Sequence, residues 1–255
     1  MKEYFQMKVD GAFRLFSIEH LLTLCVIGLL AVFLFTFQKK LRQSEWKNGL
    51  RFFLAAALLI SEAAIQFWYL YYGNWSVKSS LPLELSDLAV LLAALMLATG
   101  NRPLFAFLYF AGVGSSLQAI LTPDLGGYRF PHFQYIQFFT AHGLMILACL
   151  FMIAVEYYRP TFRSLWITFL LVNVYGVCIF FFDRATGANY LYLMHKPKAA
   201  SLLDFIGPWP WYIISLEAMT LIVFLLLYVP FGITEKEGRK QLSMKTKQKW
   251  SRQSD

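Results

Sequence analysis

Ser86 and His142 form a candidate nucleophile–base pair. A serine hydroxyl is a weak nucleophile until a base takes its proton, and imidazole is suited to that work near neutral pH. Asp87 is the candidate orienter, with Glu84 in reserve. Glu84 and Asp87 lie three residues apart, so on a helix they share a face. Ser86 sits about 100° round from Asp87 and can line the same cavity. Two carboxylates this close in low dielectric repel, so one holds a proton unless a cation intervenes. His132 is an alternative base nearer the surface. Glu62, Glu217, Gln118 and Asn173 complete the candidate set, the last two as contacts for a carbonyl or a headgroup. His20, His132, His142 and His195 are scattered, and none pairs with another ligand one helical turn away. No metal centre and no cofactor are therefore expected. Gly112-Val113-Gly114 reads as close helix packing, not as a phosphate loop.

The elements that position these groups follow from composition. The chain has 255 residues, 58% hydrophobic and only 15% charged, with a mean hydropathy of +0.52. About 25% charge is usual for a soluble domain. A secreted enzyme, a cytosolic enzyme and a disordered protein are excluded, leaving an all-α polytopic membrane protein. Apolar runs long enough to cross a bilayer fall at roughly 18–37, 51–71, 82–99, 103–121, 133–155, 163–183 and 210–231. The spacing predicts a single seven-helix bundle over 1–233 with a basic tail over 234–255. The runs are too long and too continuously apolar for barrel strands. Breakers stand between them: Pro82, Gly100-Asn101-Arg102-Pro103, Pro160, Pro208 and Pro210. Of the 23 Lys and Arg, 15 fall on the side of the C-terminus and 8 on the other. The N-terminus is thus expected outside and the C-terminus in the cytoplasm, with no cleavable signal, as a multi-pass protein of the cell membrane. The net charge of +8 is a topology signal, with no nucleic acid implied; the tail can also meet anionic lipid heads. Cys25, Cys149 and Cys178 lie in apolar runs and read as buried small hydrophobes without a disulfide framework. The long outer loops, 122–132 and 184–209, have the length of lids or caps.

The intramembrane polar groups are unevenly distributed. Glu19 and His20 sit at the outer end of the first run, Glu84 and Asp87 at that of the third, and Asp183 at that of the sixth. Glu62 and His142 lie about nine residues in from outside and Glu217 about seven, so the deepest are roughly 14 Å below the outer face. Ionisable groups cost about 3 kcal/mol each at a helix centre and should face the bundle interior. The bundle is expected to open outward as a polar pocket with an apolar floor. The alternative is a set of satisfied pairs gluing helices together.

Several segments carry a resemblance. They are Leu81-Pro82-Leu83-Glu84-Leu85-Ser86-Asp87-Leu88, Ser115 through Leu125, Phe130-Pro131-His132-Phe133-Gln134, Phe138-Phe139-Thr140-Ala141-His142-Gly143 and Gly187 through Pro197. Together they resemble the bacterial YwaF-type (TP0381-type) integral membrane family, which is similar to the eukaryotic transmembrane protein 164, an acyltransferase of ether phospholipids. The resemblance implies a cysteine–histidine acyl shuttle in the membrane. His142 matches the histidine of the family's His-Gly pair, whereas Ser86 falls where cysteine is common and Glu84 where many members have histidine. A serine can form only an ester, so a lipid acyltransferase or an acyl hydrolase acting on membrane lipid is the first reading. A transporter or cation-binding protein using Glu62, Glu84, Asp87 and Glu217 is the alternative, although no inverted repeat is visible. A receptor-like module rests on topology alone.

Overall fold

The computed structural model of the chain describes residues 2–7, 12–196 and 207–251, with side chains from residue 4 and up to residue 233. Every regular element among the described residues is helical. α1 (Ile18–Thr36) starts at Ser17, whose hydroxyl accepts from the His20 amide. The short α2 (Gln38–Gln43) leads into α3 (Lys47–Tyr71). α4 (Leu85–Thr99) ends at Gly100, whose φ of 66° lies in the left-handed region open to glycine. Asn101 caps α5 (Arg102–Phe107), which runs through a π turn (Leu108–Gly112) into α6 (Val113–Leu121). α7 (Phe133–Ala154) and α8 (Phe162–Thr186) follow, the latter opened by a reciprocal Thr161–Ser164 cap. A single 3-10 turn (Tyr190–Tyr192) precedes α9 (Trp211–Ser251). The basic side chains beyond residue 233, expected to meet headgroups or to set topology, lie outside the described residues.

Among the described residues six helices are long and apolar enough to cross a bilayer: α1, α3, the continuous Arg102–Leu121, α7, α8 and the Trp211–Ile233 part of α9. The third expected run is shorter. α4 has 15 residues, about 22 Å of helix against a hydrocarbon core near 30 Å. It starts at Leu85, three residues after the expected 82: Glu84 is still extended at ψ 144°, and the Leu83 carbonyl before it is held by Tyr175 Oη.

The segment before α4 therefore descends beside the helices without being helical. Gln66 lies five residues before the end of α3, about 7 Å below it, and its amide donates to the Ser80 carbonyl at 2.8 Å. Irregular backbone at that depth survives only if its polar groups find partners inside the protein. They do. Tyr190 Oη accepts from Leu81 N and donates to the Val77 carbonyl, and Tyr175 Oη donates to the Leu83 carbonyl at 2.7 Å.

α4, the π turn and α7 make the centre. The Arg102–Leu121 and α7 spans are 56% and 61% buried within the protein, against 11% for α1, 17% for α8 and 11% for α9. The outer helices turn rows of Leu, Val, Ile and Phe to the surroundings, as a lipid-facing helix does. This corrects the reading of the cysteines. Cys149 is buried, but Cys25 and Cys178 are exposed on α1 and α8. An apolar run in a membrane has no obligatory inside, so apolar neighbours in sequence do not imply burial. Gly112 is wedged in the centre as the packing reading requires: a Cβ there would lie 3.1 Å from Ala89 Cβ and 2.1 Å from Met145 Cε. Two apolar grooves of about 270 and 380 Å³ flank α7, one against α1 and one against α3.

Candidate functional site

α7 carries His142 nine residues below its first residue, and the late start of α4 brings Asp87 down to meet it. His142 Nε2 and Asp87 Oδ1 are 4.0 Å apart. His142 is buried, while Asp87 keeps 39% of its side chain exposed. The ring's orientation is set from its own helix: Nδ1–H donates to the Phe138 carbonyl, one turn back, at 2.7 Å. In the neutral ring Nε2 then holds the lone pair, and it has no hydrogen-bond partner. A separation of 4.0 Å is too long for a hydrogen bond, but a hydroxyl lying beside the pair can reach both. Asp87 thus faces the reactive nitrogen, and the orienting bond comes from Phe138. Ser86, half-buried, is next to Asp87 in the first turn of α4 and makes no hydrogen bond to His142 in this arrangement.

Glu62 approaches from α3 and is buried. Gln66, one turn on, donates to its Oε1 at 3.0 Å while also holding the Ser80 carbonyl. Glu84 stands at the N-cap position of α4 without a side-chain capping bond, and its Oε2 accepts from Leu191 N at 3.1 Å. Leu191 and Tyr192 hold φ of 56° and 52°, a left-handed backbone that costs about 1–3 kcal/mol per residue outside glycine. The strap around them is pinned on every side. Tyr192 Oη donates to Asp124 Oδ2, Tyr212 Oη donates to the Tyr192 carbonyl, and Trp209 Nε1 donates to the Leu193 carbonyl. Burial, with the Asp124 and Glu84 carboxylates nearby, pushes the Tyr192 phenol up, so it stays a donor.

The remaining candidates lie apart from this junction. His132 caps α7: Nδ1 accepts from Gln134 N at 3.1 Å and Nε2 donates to the Gln6 carbonyl at 2.9 Å. Both ring nitrogens are occupied, and burial pulls the ring below the usual histidine range, with the Gln6 bond opposing. Asn173 donates to Glu217 Oε2 at 2.9 Å and to the Phe169 carbonyl, tying α8 to α9. Gln118 is exposed on α6. Among the described residues no group of three or more His, Cys, Asp or Glu could hold a metal ion.

Several working groups escaped the sequence reading. Gln66, Phe138 and Tyr175 act through positions fixed by the fold; only the first two, four residues from Glu62 and His142, left a helical signal. Ser116 is fully buried on α6 with its hydroxyl unpartnered, and a neutral hydroxyl in an apolar run gives no warning in hydropathy.

A helical membrane protein with polar groups gathered where a short helix begins inside the bundle is the class these observations define. The TMEM164 family model matches residues 15–228, and the chain belongs to that family. No curated protein and no solved structure matches it.

Proposed function

We propose that the chain is a membrane-embedded lipid acyltransferase or acyl hydrolase, a multi-pass protein of the cell membrane of the YwaF type. In this reading α4 completes seven crossings, with the N-terminus outside and the basic tail in the cytoplasm. The observation that carries the proposal is the open Nε2 of His142, buried and fixed in orientation, beside Asp87 and one residue from a serine.

Ser86 Oγ attacks the acyl carbon of a lipid ester while its proton passes to His142 Nε2. The ester C–O bond breaks as the imidazolium returns that proton to the departing lipid oxygen, leaving an acyl–Ser86 ester. A lysolipid hydroxyl or water then gives its proton to Nε2 and attacks the same carbon, and Ser86 leaves with the proton. A transient imidazolium 4.0 Å from the Asp87 carboxylate is stabilised in the low-dielectric interior. Ser86 Oγ makes no bond to His142 in the present arrangement, so the attack requires it to move toward Nε2. Acyl chains have apolar grooves on both sides of α7 to follow.

Intact-mass spectrometry after incubation with a labelled phospholipid tests this. The expected result is an acyl adduct on Ser86 that is absent in Ser86→Ala. Full lipid turnover by Ser86→Ala would remove the mechanism.

A further inference from the structure

We infer that Ser116 donates a hydrogen bond to the carbonyl oxygen of the reacting ester, as the oxyanion donor of the site. This rests on the acyl-transfer reading and assigns a catalytic residue to it from a third helix.

The Gly112 wedge sets the level of the junction. Gly112, the last residue of the π turn that leads into α6, meets Ala89 on α4 and Met145 on α7, which fixes the level at which the three helices touch. α4 and α7 run in one direction, because Asp87 in the first turn of α4 meets His142 and the two C-terminal ends meet through the Tyr158–Gly100 bond. α6 runs the other way, following the turn at Gly100. One turn from the wedge toward the α4 N-terminus lie Ser86 on α4, His142 on α7 and Ser116 on α6, about 4.5–6 Å along each axis. Each is within about 60° of its wedge residue on the helical wheel. All three side chains therefore belong to the same α4–α6–α7 junction and the same level.

Ser116 is fully buried there, and its hydroxyl has no partner. The usual outlet for a helical serine is the carbonyl four residues back. That carbonyl, Gly112 O, instead accepts from Ser115 Oγ at 3.2 Å. An unpaired buried hydroxyl carries a standing penalty of about 1–3 kcal/mol. A buried donor, already desolvated and at the level of a base, is what a developing oxyanion needs.

The decisive comparison is Ser116→Ala against wild type in detergent, probed with an alkyl fluorophosphonate. This probe phosphonylates an activated serine, and its P=O oxygen occupies the oxyanion position. Ser116→Ala should label Ser86 about 100-fold or more slowly, the usual loss for one oxyanion donor. With a phospholipid ester, kcat should fall while KM holds, because the bond strengthens in the transition state. Tm should stay level or rise, since alanine removes an unsatisfied polar atom. An unchanged labelling rate overturns the assignment. So does a parallel fall of Tm and rate, which marks a structural serine, or a phosphonate found on Ser116 itself. Failure of the parent reading has a different signature: wild type that neither labels nor turns over any lipid ester, in which case the donor role falls with it.

Discussion

Two buried histidines on either side of α7 are handled in opposite ways. At the α1–α6–α7 junction, His20 is fully buried and both ring nitrogens are engaged: Nδ1 accepts from Phe16 N at 3.1 Å and Nε2 donates to the Ile120 carbonyl at 2.7 Å. Phe13, Phe16 and Phe139 pack around the ring. At the α4–α6–α7 junction, His142 has one nitrogen anchored and the other open, and the Ser116 hydroxyl at the same level is open too. Both histidines sit in the N-terminal halves of apolar helices, and nothing in composition separates them. Partner accounting separates them. A buried polar group whose bonds are complete is accounted for by the fold; one left incomplete calls for a further explanation, and the acyl-transfer reading supplies one for His142 and Ser116.

The comparison breaks most readily at His142. Replacing it by alanine should cut lipid-ester turnover by about 10²–10⁴-fold, the range for a general base, with a stability loss confined to the cavity left behind and smaller than at His20. The Phe138 carbonyl it leaves behind keeps its helical amide donor. Near-normal turnover would erase the distinction between the two junctions. His20→Ala should do the reverse. It orphans Phe16 N, outside α1, and the Ile120 carbonyl, in the last turn of α6 where no helical donor follows. With the cavity added, stability should fall by about 2–5 kcal/mol, read as a large drop in Tm in detergent, while turnover per folded molecule holds. A stable but inactive His20→Ala would contradict the assignment.

The smallest effect sharpens the comparison through pH. His132 is satisfied like His20, and its burial holds the folded ring below the ordinary value of 6.5. The unfolded chain then binds the proton more readily, so His132 supports the fold above 6.5 and that support is lost as pH falls below it. His132→Asn keeps an N-cap acceptor for α7. It should flatten the acid side of the Tm–pH curve slightly, and an unaltered slope would show that this ring does not titrate with unfolding.

Hydropathy and breakers located the apolar runs because lipid demands length and continuous apolarity, both written residue by residue. Six runs became helices of spanning length. Pro82 reads as a breaker at the head of a full third run from 82; that the helix starts only at Leu85, beside Gln66, needed the neighbours. The same limit applied at the site. Glu84 and Asp87 announced themselves as carboxylates in an apolar segment, and His142 as the imidazole at depth. Their mutual distance did not, because it depends on where α4 starts. Asn173 and Glu217, read as candidate contacts, proved to be bonded to each other across α8 and α9.

Glu19, expected to turn inward, is exposed in the first turn of α1. The amino-acid string by itself determined that the chain is a set of apolar helices and that ionisable side chains within them carry a cost. The reason is that transfer into hydrocarbon is charged to each residue independently of its partners. Tertiary structure alone decided which polar atoms are satisfied. Hydrogen bonding is a property of pairs, and the pairs here join positions as remote as His20 and Ile120.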